Sequence, residues 1–333
     1  MANVNQLAAS SKLVIVMACF HPNPDFFVEQ ILSLQKQTCS DWICIVSDDS
    51  VDPKSIQFIQ SKLSEDPRFI YLQNPGDRGV VSNFENALKN IPSSSEYIFF
   101  CDQDDIWHAD KIEQILKYFQ ENTEMTVVHS DLRQVDSHGK LLNSSVWTSE
   151  HRHLEPENIL ELLLHPCVTG CSMAIRQSIL NQVLPFPQGI DAEKILHDHW
   201  ISLIAFSQKK LGKLNKPLID YRQHAGNVVG ARPARILSWK KIQKIKIKNM
   251  LLPAWEKHVL AKHLLQRASE LSLKQEDQKM LKIFTQGNIF GFLHELAKSH
   301  FFSWKNGTLY LRIFLGLIYR PWKKVGPLNI QQR

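Results

Sequence analysis

An α/β fold, built on a mostly parallel sheet flanked by helices, is the architecture this sequence predicts, and three observations predict it. Short, continuously apolar runs recur along the chain, as in strands buried on both faces. Segments with helical spacing stand between them, joined by short polar turns. Two of the apolar runs end in clustered aspartates, Asp48-Asp49-Ser50 and Asp102-Gln103-Asp104-Asp105. Those are the strand ends beyond which such sheets bind ligands.

The elements follow in order. Leu13–Cys19 reads as the first buried strand and His21-Pro-Asn-Pro24 as the turn after it. Phe26–Gln35 carries Phe27, Ile31 and Leu34 at helical spacing. Trp42–Ser47 is a second strand, Pro53–Leu63 a helix and Phe69–Leu72 a third strand. The loop Asn74-Pro-Gly-Asp-Arg-Gly79 leads into a helix over Val81–Asn90. Tyr97–Cys101 is a fourth strand, Lys111–Gln120 a helix and Thr126–His129 another strand. Residues 140–195 give weaker signals, a helix around Pro156–Leu164 and an apolar run at Val168–Ile175.

The 333 residues are enough for one large domain or two modest ones. Charge divides them. From Ala231 onward 20 Lys and Arg face 5 Asp and Glu, a balance of +15, which leaves −9 over residues 1–230. An acidic body over 1–230 suits a cation, and a basic helical extension over 231–333 suits an anionic surface. The six cysteines sit mostly inside apolar runs at spacings that match no zinc pattern, which fits buried, reduced thiols. No basic n-region or cleavage site frames Leu13–Phe20, so no signal peptide is expected. No apolar run reaches the length of a membrane span.

Four groups of residues carry chemistry. Several carboxylates at one strand end repel each other, and a divalent cation removes that penalty. Asp102 and Asp104 are therefore the leading ligand candidates, and an all-oxygen set points to Mg²⁺ or Mn²⁺. Asp105 and Asp110 read as structural or capping residues. Asp49 can accept a hydrogen bond from a base or a ribose hydroxyl, although an Asx-turn explains the same residues. Asp198, between His197 and His199 and ahead of an apolar helix, is a candidate general base. Arg222 and His224, in Tyr221-Arg-Gln-His224, can contact phosphate or metal. No G-x-G-x-x-G follows the first strand, which argues against a dehydrogenase, and no Walker-type loop is present.

In combination these pieces resemble the family 2 glycosyltransferases of the GT-A fold, in their rhamnosyltransferase-like branch. The resemblance rests on Val14–Cys19, Gln37-Thr38, Asp48-Asp49-Ser50, Gly79 and Asn83, the run from Phe99 to Ile112, Thr169-Gly170-Cys171, Asp198, and Tyr221–Gly230, all in the family's order over residues 12–230. Ser50 stands where the family usually has glycine, and Ala225 follows His224 where glycine is common. The resemblance implies that Asp49 binds a pyrimidine base, Asp102 the ribose and Asp104 the metal. It implies that His224 lies near metal and diphosphate and that Asp198 is the catalytic base. Gly79, Asn83, Gly170 and Arg222 join the nucleotide-sugar site on the same ground.

The function so implied is an inverting, Mn²⁺- or Mg²⁺-dependent transfer of rhamnose or a similar sugar. The favoured donor is dTDP-rhamnose. The acceptor is a saccharide or lipid-linked saccharide of cell-surface polysaccharide synthesis. The alternatives are an inactive relative that binds nucleotide sugar, and another aspartate–metal nucleotidyl- or phosphotransferase. The extension places Ile236, Trp239, Ile242 and Ile245 on one helix face among Lys240, Lys241, Lys244 and Lys248. Such basic, aromatic-rich helices lie on anionic membranes, with packing onto the catalytic domain as the alternative; on the membrane reading the enzyme is expected in the cytoplasm, peripheral at the inner face of the cell membrane. No motif that reads nucleic acid is present.

Overall fold

The computed structural model describes residues 11–187, 196–224 and 247–298, together with 310, 313–314 and 317–318. The 233–246 part of the basic extension, with Ile236, Trp239, Ile242 and Ile245, lies outside the described residues, as does the stretch from Ala225 to Gly230. The chain divides into two compact units. One is Met1–Leu154, Val168–Phe186 and Lys209–Ala231, and the other is Glu155–Cys167, Pro187–Gln208 and Arg232–Arg333.

The first unit is a sheet with helices. Its opening strand β1 (Leu13–Cys19) is buried almost throughout, as a continuous apolar run requires. Helix α1 (Pro24–Gln35) starts where the sequence says it must. Asn23 Oδ1 accepts from the N–H groups of Asp25 (3.0 Å) and Phe26 (3.2 Å), and Pro24 supplies the first helical residue. Strand β2 (Ile43–Asp48) is wholly buried. Helix α2 (Pro53–Leu63) repeats the cap-then-proline device, with Asp52 accepting from Ser55 N at 2.9 Å. Strand β3 (Phe69–Gln73), helix α3 (Val80–Lys89) and strand β4 (Tyr97–Cys101) complete a parallel set.

Then come β5 (Ile106–Trp107), α4 (Lys111–Glu121), β6 (Val127–Val135), β7 (Leu141–Asn143), the short α5 (Val146–Ser149), β8 (Met173–Arg176) and β9 (Leu211–Arg222). The sheet order is β3-β2-β1-β4-β8-β6-β9-β5, with β7 on β6. The pairings β3-β2-β1-β4 are all parallel. β8 runs antiparallel to both β4 and β6, β9 parallel to β6, and β5 antiparallel to β9. The chain winds outward from β1 to β3 and then crosses to β4 on β1's other side. That reversal is a topological switch point, where open α/β sheets leave a crevice at the carboxyl ends.

The second unit is helical where it is described: α6 (Ile159–Leu164), α8 (His197–Ser207), α9 (Ile247–Gln266), α10 (Gln275–Gln286) and α11 (Ile289–Lys298), α7 being the short Leu180–Val183 of the first unit. Leu162, Leu203, Leu260, Leu281 and Phe284 are buried there. His199 Nε2 lies 3.2 Å from Leu162 O, and His258 Nδ1 3.1 Å from Phe284 O. None of the described helices is long and apolar enough to cross a membrane.

Candidate active site

Three aspartates gather where β1, β2 and β4 end. The Cys19 thiol, closing β1, is pushed well up, by burial first and then by the carboxylates of Asp48, Asp104 and Asp49 around it. The two aspartate clusters of the sequence thus share one location, at the switch point between β1 and β4.

Asp48 and Asp49 are adjacent but differ in use. Asp48 is fully buried and works locally. Its Oδ1 accepts from Ser50 N (2.8 Å), an Asx-turn, and its Oδ2 from the Tyr71 hydroxyl (3.0 Å). Asp49 reaches across to the loop before α3. Its Oδ1 accepts from Asn74 Nδ2 (2.7 Å) and its Oδ2 from Gly79 N (2.8 Å). Gly79 adopts φ +132°, in the left-handed region that glycine tolerates, and this turns its N–H onto the carboxylate. Asn83, one turn into α3, donates from Nδ2 to Cys19 O at 2.9 Å and pins the helix to the end of β1. Both residues build the rim around Asp49.

The acidic run after β4 is held from several sides. Gln103, between the two leading carboxylates, clasps the backbone of Phe20. Phe20 N donates to Gln103 Oε1 (2.8 Å), and Gln103 Nε2 donates to Phe20 O (3.1 Å). The β1–β4 ladder stops at Met17 and Cys101, so this amide adds one more rung from a side chain. Asp104 Oδ2 lies 2.7 Å from His224 Nε2. The His224 ring sits 5.2 Å from that of Phe26 in α1.

Arg222 is almost completely buried and ties this region together. Its Nε donates to Asp104 O (3.0 Å) and its Nη1 to Ser137 O (3.3 Å), and Nη2 pairs with Glu29. The guanidinium also stacks 4.5 Å above Phe26. Its backbone N–H donates to Asp105 Oδ1 at 3.0 Å. In this conformation Arg222 holds the chain that carries Asp104 and His224.

Asp105 points inward and is structural, as its pattern suggested. Burial, then Asp104 and Asp102, push its carboxyl well above the usual range. Asp110 carries no cap hydrogen bond; its carboxylate instead accepts from Lys216 Nζ at 2.6 Å. Gly170 lies in the buried turn Gly170–Ser172 beneath the run. Lys111, fully buried, donates to Cys171 O (2.7 Å) and lies 3.3 Å over the Trp107 ring. Burial pushes that ammonium down to about 7, against the pull of Cys101, Cys171, Asp105 and Asp102.

Two donor sets can be weighed for a cation. Oxygen and sulfur atoms of Asp102, Asp105 and Cys171 lie within 4.8 Å of one another. Burial first, then the nearby carboxylates of Asp105 and Asp102, push the Cys171 thiol well up, which makes it the poorest ligand of the three. Asp104 pairs instead with His224, and among the described residues no group of three such donors joins both of them to Asp102; carboxylate oxygens and an imidazole are donors that Mn²⁺ accepts.

Asp198 belongs to the second unit and stands in the first turn of α8. Its Oδ1 accepts from His199 N at 2.7 Å. His197 and His199 are buried and held neutral at ordinary pH, His197 down to about 3 by burial and His199 well below its usual value by burial and then Lys257. Of this trio Asp198 alone keeps partial solvent access.

Sequence reasoning missed Gln103, Asn74 and Lys111. Gln103 reads as a spacer between aspartates and Asn74 as a turn former. Lys111 opens an amphipathic helix, where a lysine is expected to be solvated. All three act through long-range contacts that only the fold creates.

A crevice of this kind, at the switch point of a mixed sheet with clustered carboxylates, is where an open α/β fold binds its ligand. The family model for glycosyl transferase family 2 matches residues 14–184, just over half the chain, and the chain belongs to that family. An uncharacterized glycosyltransferase of Methanocaldococcus jannaschii is 26% identical over 212 residues, 62% of this chain and 69% of that one. A dTDP-rhamnosyl transferase of Shigella flexneri is 22% identical over 227 residues, covering 66% and 76%. Other curated relatives are longer proteins, of which the matched region makes up 14 to 34%. Residues 1–349 of S. aureus TarS, solved in complex with UDP-GlcNAc, superpose with a TM-score of 0.52 at 15% identity, over 94% of this chain and 92% of that one. The fold is therefore GT-A.

Proposed function

We propose that this glycosyltransferase moves rhamnose or a similar sugar from a nucleoside diphosphate to a hydroxyl of a saccharide or lipid-linked saccharide, with inversion, in the assembly of a cell-surface polysaccharide. One observation carries the reading: Asp48, Asp49 and Asp104 converge around Cys19 at the switch point of a GT-A sheet. The dTDP-rhamnosyl transferase relative favours dTDP-rhamnose as donor, and the UDP-GlcNAc complex of TarS supports a pyrimidine nucleotide in this fold.

In this reading Asp49 accepts from the base N–H, since a carboxylate that already takes Asn74 and Gly79 keeps lone pairs to spare. Asp102 accepts from a ribose hydroxyl. Asp102, Asp104 and His224 would hold Mn²⁺ or Mg²⁺, which when bound neutralises charge on the departing diphosphate. Arg222 keeps Asp104 and His224 in place, and Gly79, Asn83 and Gly170 shape the walls. Asp198 takes the proton of the acceptor hydroxyl, whose oxygen forms a bond to the sugar C1. The bond from C1 to the diphosphate oxygen breaks with its electron pair, through an oxocarbenium-like transition state. One displacement inverts the anomeric centre. Residues 1–230 serve as the catalytic domain, and the basic 231–333 extension holds the enzyme at the inner face of the membrane beside its acceptor.

The test is a thermal-shift screen of nucleotide sugars with and without Mn²⁺, followed by transfer assays with the stabilising donor. Asp198→Asn should keep donor affinity and lose about 10²–10⁴-fold in kcat. Near-normal turnover in that variant removes Asp198 from the mechanism.

A further inference from the structure

Helix α11 has two apolar faces where a surface helix needs one. Phe292 is buried and meets Phe284 of α10 edge to face, ring centres 6.1 Å apart. On another side Phe290, Leu293 and Ala297, spaced i, i+3 and i+7, are all exposed, Phe290 at 86%. The exposed residues of this helix among those described are these three and His294. The helix is firmly set. Gly287 ends α10 in the left-handed conformation (φ 63°), and Asn288 starts α11 by accepting from Gly291 N at 2.9 Å. Its apolar stripe is therefore presented, not frayed.

Charge says what covers it. The region from 231 onward carries +15 in sequence, and on the neighbouring α10 Lys279 and Lys282 are exposed, with Glu276 exposed in its first turn. A second copy would bring an equal positive charge against it, which opposes pairing. Nucleic acid would match the charge but leaves a Phe-Leu-Ala stripe with nothing to read. An anionic bilayer answers both features, phosphate and carboxylate headgroups for the lysines and the acyl boundary for the ring and the leucine. We infer that the Phe290–Leu293–Ala297 face of α11 is the surface by which this chain enters the interfacial layer of an anionic membrane. The inference rests on the membrane role proposed for the extension and names the side chains that perform it.

The experiment is co-sedimentation of the full chain with phosphatidylserine-containing vesicles and with phosphatidylcholine vesicles, at low and high salt. Wild type, Phe290→Ala/Leu293→Ala and Phe290→Glu/Leu293→Glu are compared, with circular dichroism melts to show that these exposed substitutions leave the fold intact. Wild type should pellet with anionic vesicles and be partly released by salt. The alanine pair should bind about tenfold more weakly, and the glutamate pair more weakly still. Equal binding by all three proteins overturns the α11 face while leaving a purely electrostatic membrane role standing. Wild type that ignores anionic vesicles at low salt overturns both. A wild-type dimer in analytical ultracentrifugation that the variants dissociate assigns the face to a second copy, and RNA that displaces the vesicles competitively assigns the surface to nucleic acid; either result also overturns the inference.

Discussion

Past the ends of β1, β2 and β4 the carboxylates are met by amide, hydroxyl and backbone donors and by one imidazole, whereas Asp220 on β9 and Asp110 ahead of α4 are met by arginine and lysine, with one imidazole beside Asp220. Asp49 takes Asn74 and Gly79, and Asp48 takes Ser50 and Tyr71. On the other side, Asp220 takes Arg133 Nε at 2.5 Å and His108 Nε2 at 2.9 Å, and Asp110 takes Lys216 at 2.6 Å. Neutral donors orient a carboxylate without discharging it, so the first region keeps negative charge for an incoming ligand. The second region is neutralised by its own side chains and serves as a buttress. Clustered charge marks a site only where it is left uncompensated.

Substitutions can break this contrast. In the first region they should change ligand binding with little change in Tm, and in the second the reverse. Asp104→Ala carries the largest expected effect. It removes a carboxylate that is only 17% exposed and paired with His224, so Mn²⁺-dependent affinity for a nucleoside diphosphate should fall on the order of a hundredfold. Isothermal titration with and without Mn²⁺ measures it. Wild-type affinity in the variant would take Asp104 out of the cation set.

Gln103→Ala sharpens the same comparison at lower cost. The clasp comprises two hydrogen bonds to Phe20, worth together about a tenfold change in donor affinity if they hold the acidic run in register. The Phe20 amide should also exchange faster with solvent in the variant. Faster exchange with unchanged affinity would leave the clasp a local staple without bearing on binding.

Legibility in the sequence follows the same divide. β1 to β4 are apolar on both faces, so continuous runs announced them, and the caps at Asn23 and Asp52 announced their helices. The other half hid itself. β9 reads Leu-Gly-Lys-Leu-Asn-Lys-Pro, too polar for a buried strand, because one edge meets the two-residue β5 and its polar side chains answer partners such as Asp110 and Asp220's neighbours. β6 was seen only as Thr126–His129, since its second half carries Asp131, Arg133 and Gln134. The run Val168–Ile175 splits into a turn and β8 at Gly170, which periodicity does not reveal. The aspartates stand out because carboxylates at strand ends are expensive, whereas Asn74, Gln103 and Lys111 are ordinary residues until the fold brings up partners 25 to 83 positions away.

Asp220→Asn is the smallest effect and tests the buttress itself. Asp220 sits on β9 opposite Ile106 of β5 and Arg133 of β6, so its carboxylate bridges three strands. Partial burial raises its pKa, and hydrogen bonds from His108 and Arg133 outweigh that and bring it to about 2. A carboxyl whose folded pKa lies below its ordinary 3.8 stabilises the fold at pH values above 3.8, and that contribution is lost as pH falls towards about 2. A shift of this size, reduced for the solvent that reaches the pair, corresponds to about 1–2 kcal/mol at neutral pH. Urea denaturation of wild type and Asp220→Asn should therefore differ by about that amount at pH 7 and converge near pH 2, provided both remain folded in the absence of urea. Nucleoside diphosphate affinity at pH 7 should stay near wild type, since β5 to β9 neutralise their own charge. A stability gap that is constant with pH would make the network a matter of shape and not of charge. A large loss of binding would show that the buttress sets the position of Arg222, the last residue of β9, and of His224 two residues beyond it, and the division between the two regions would have to be redrawn there.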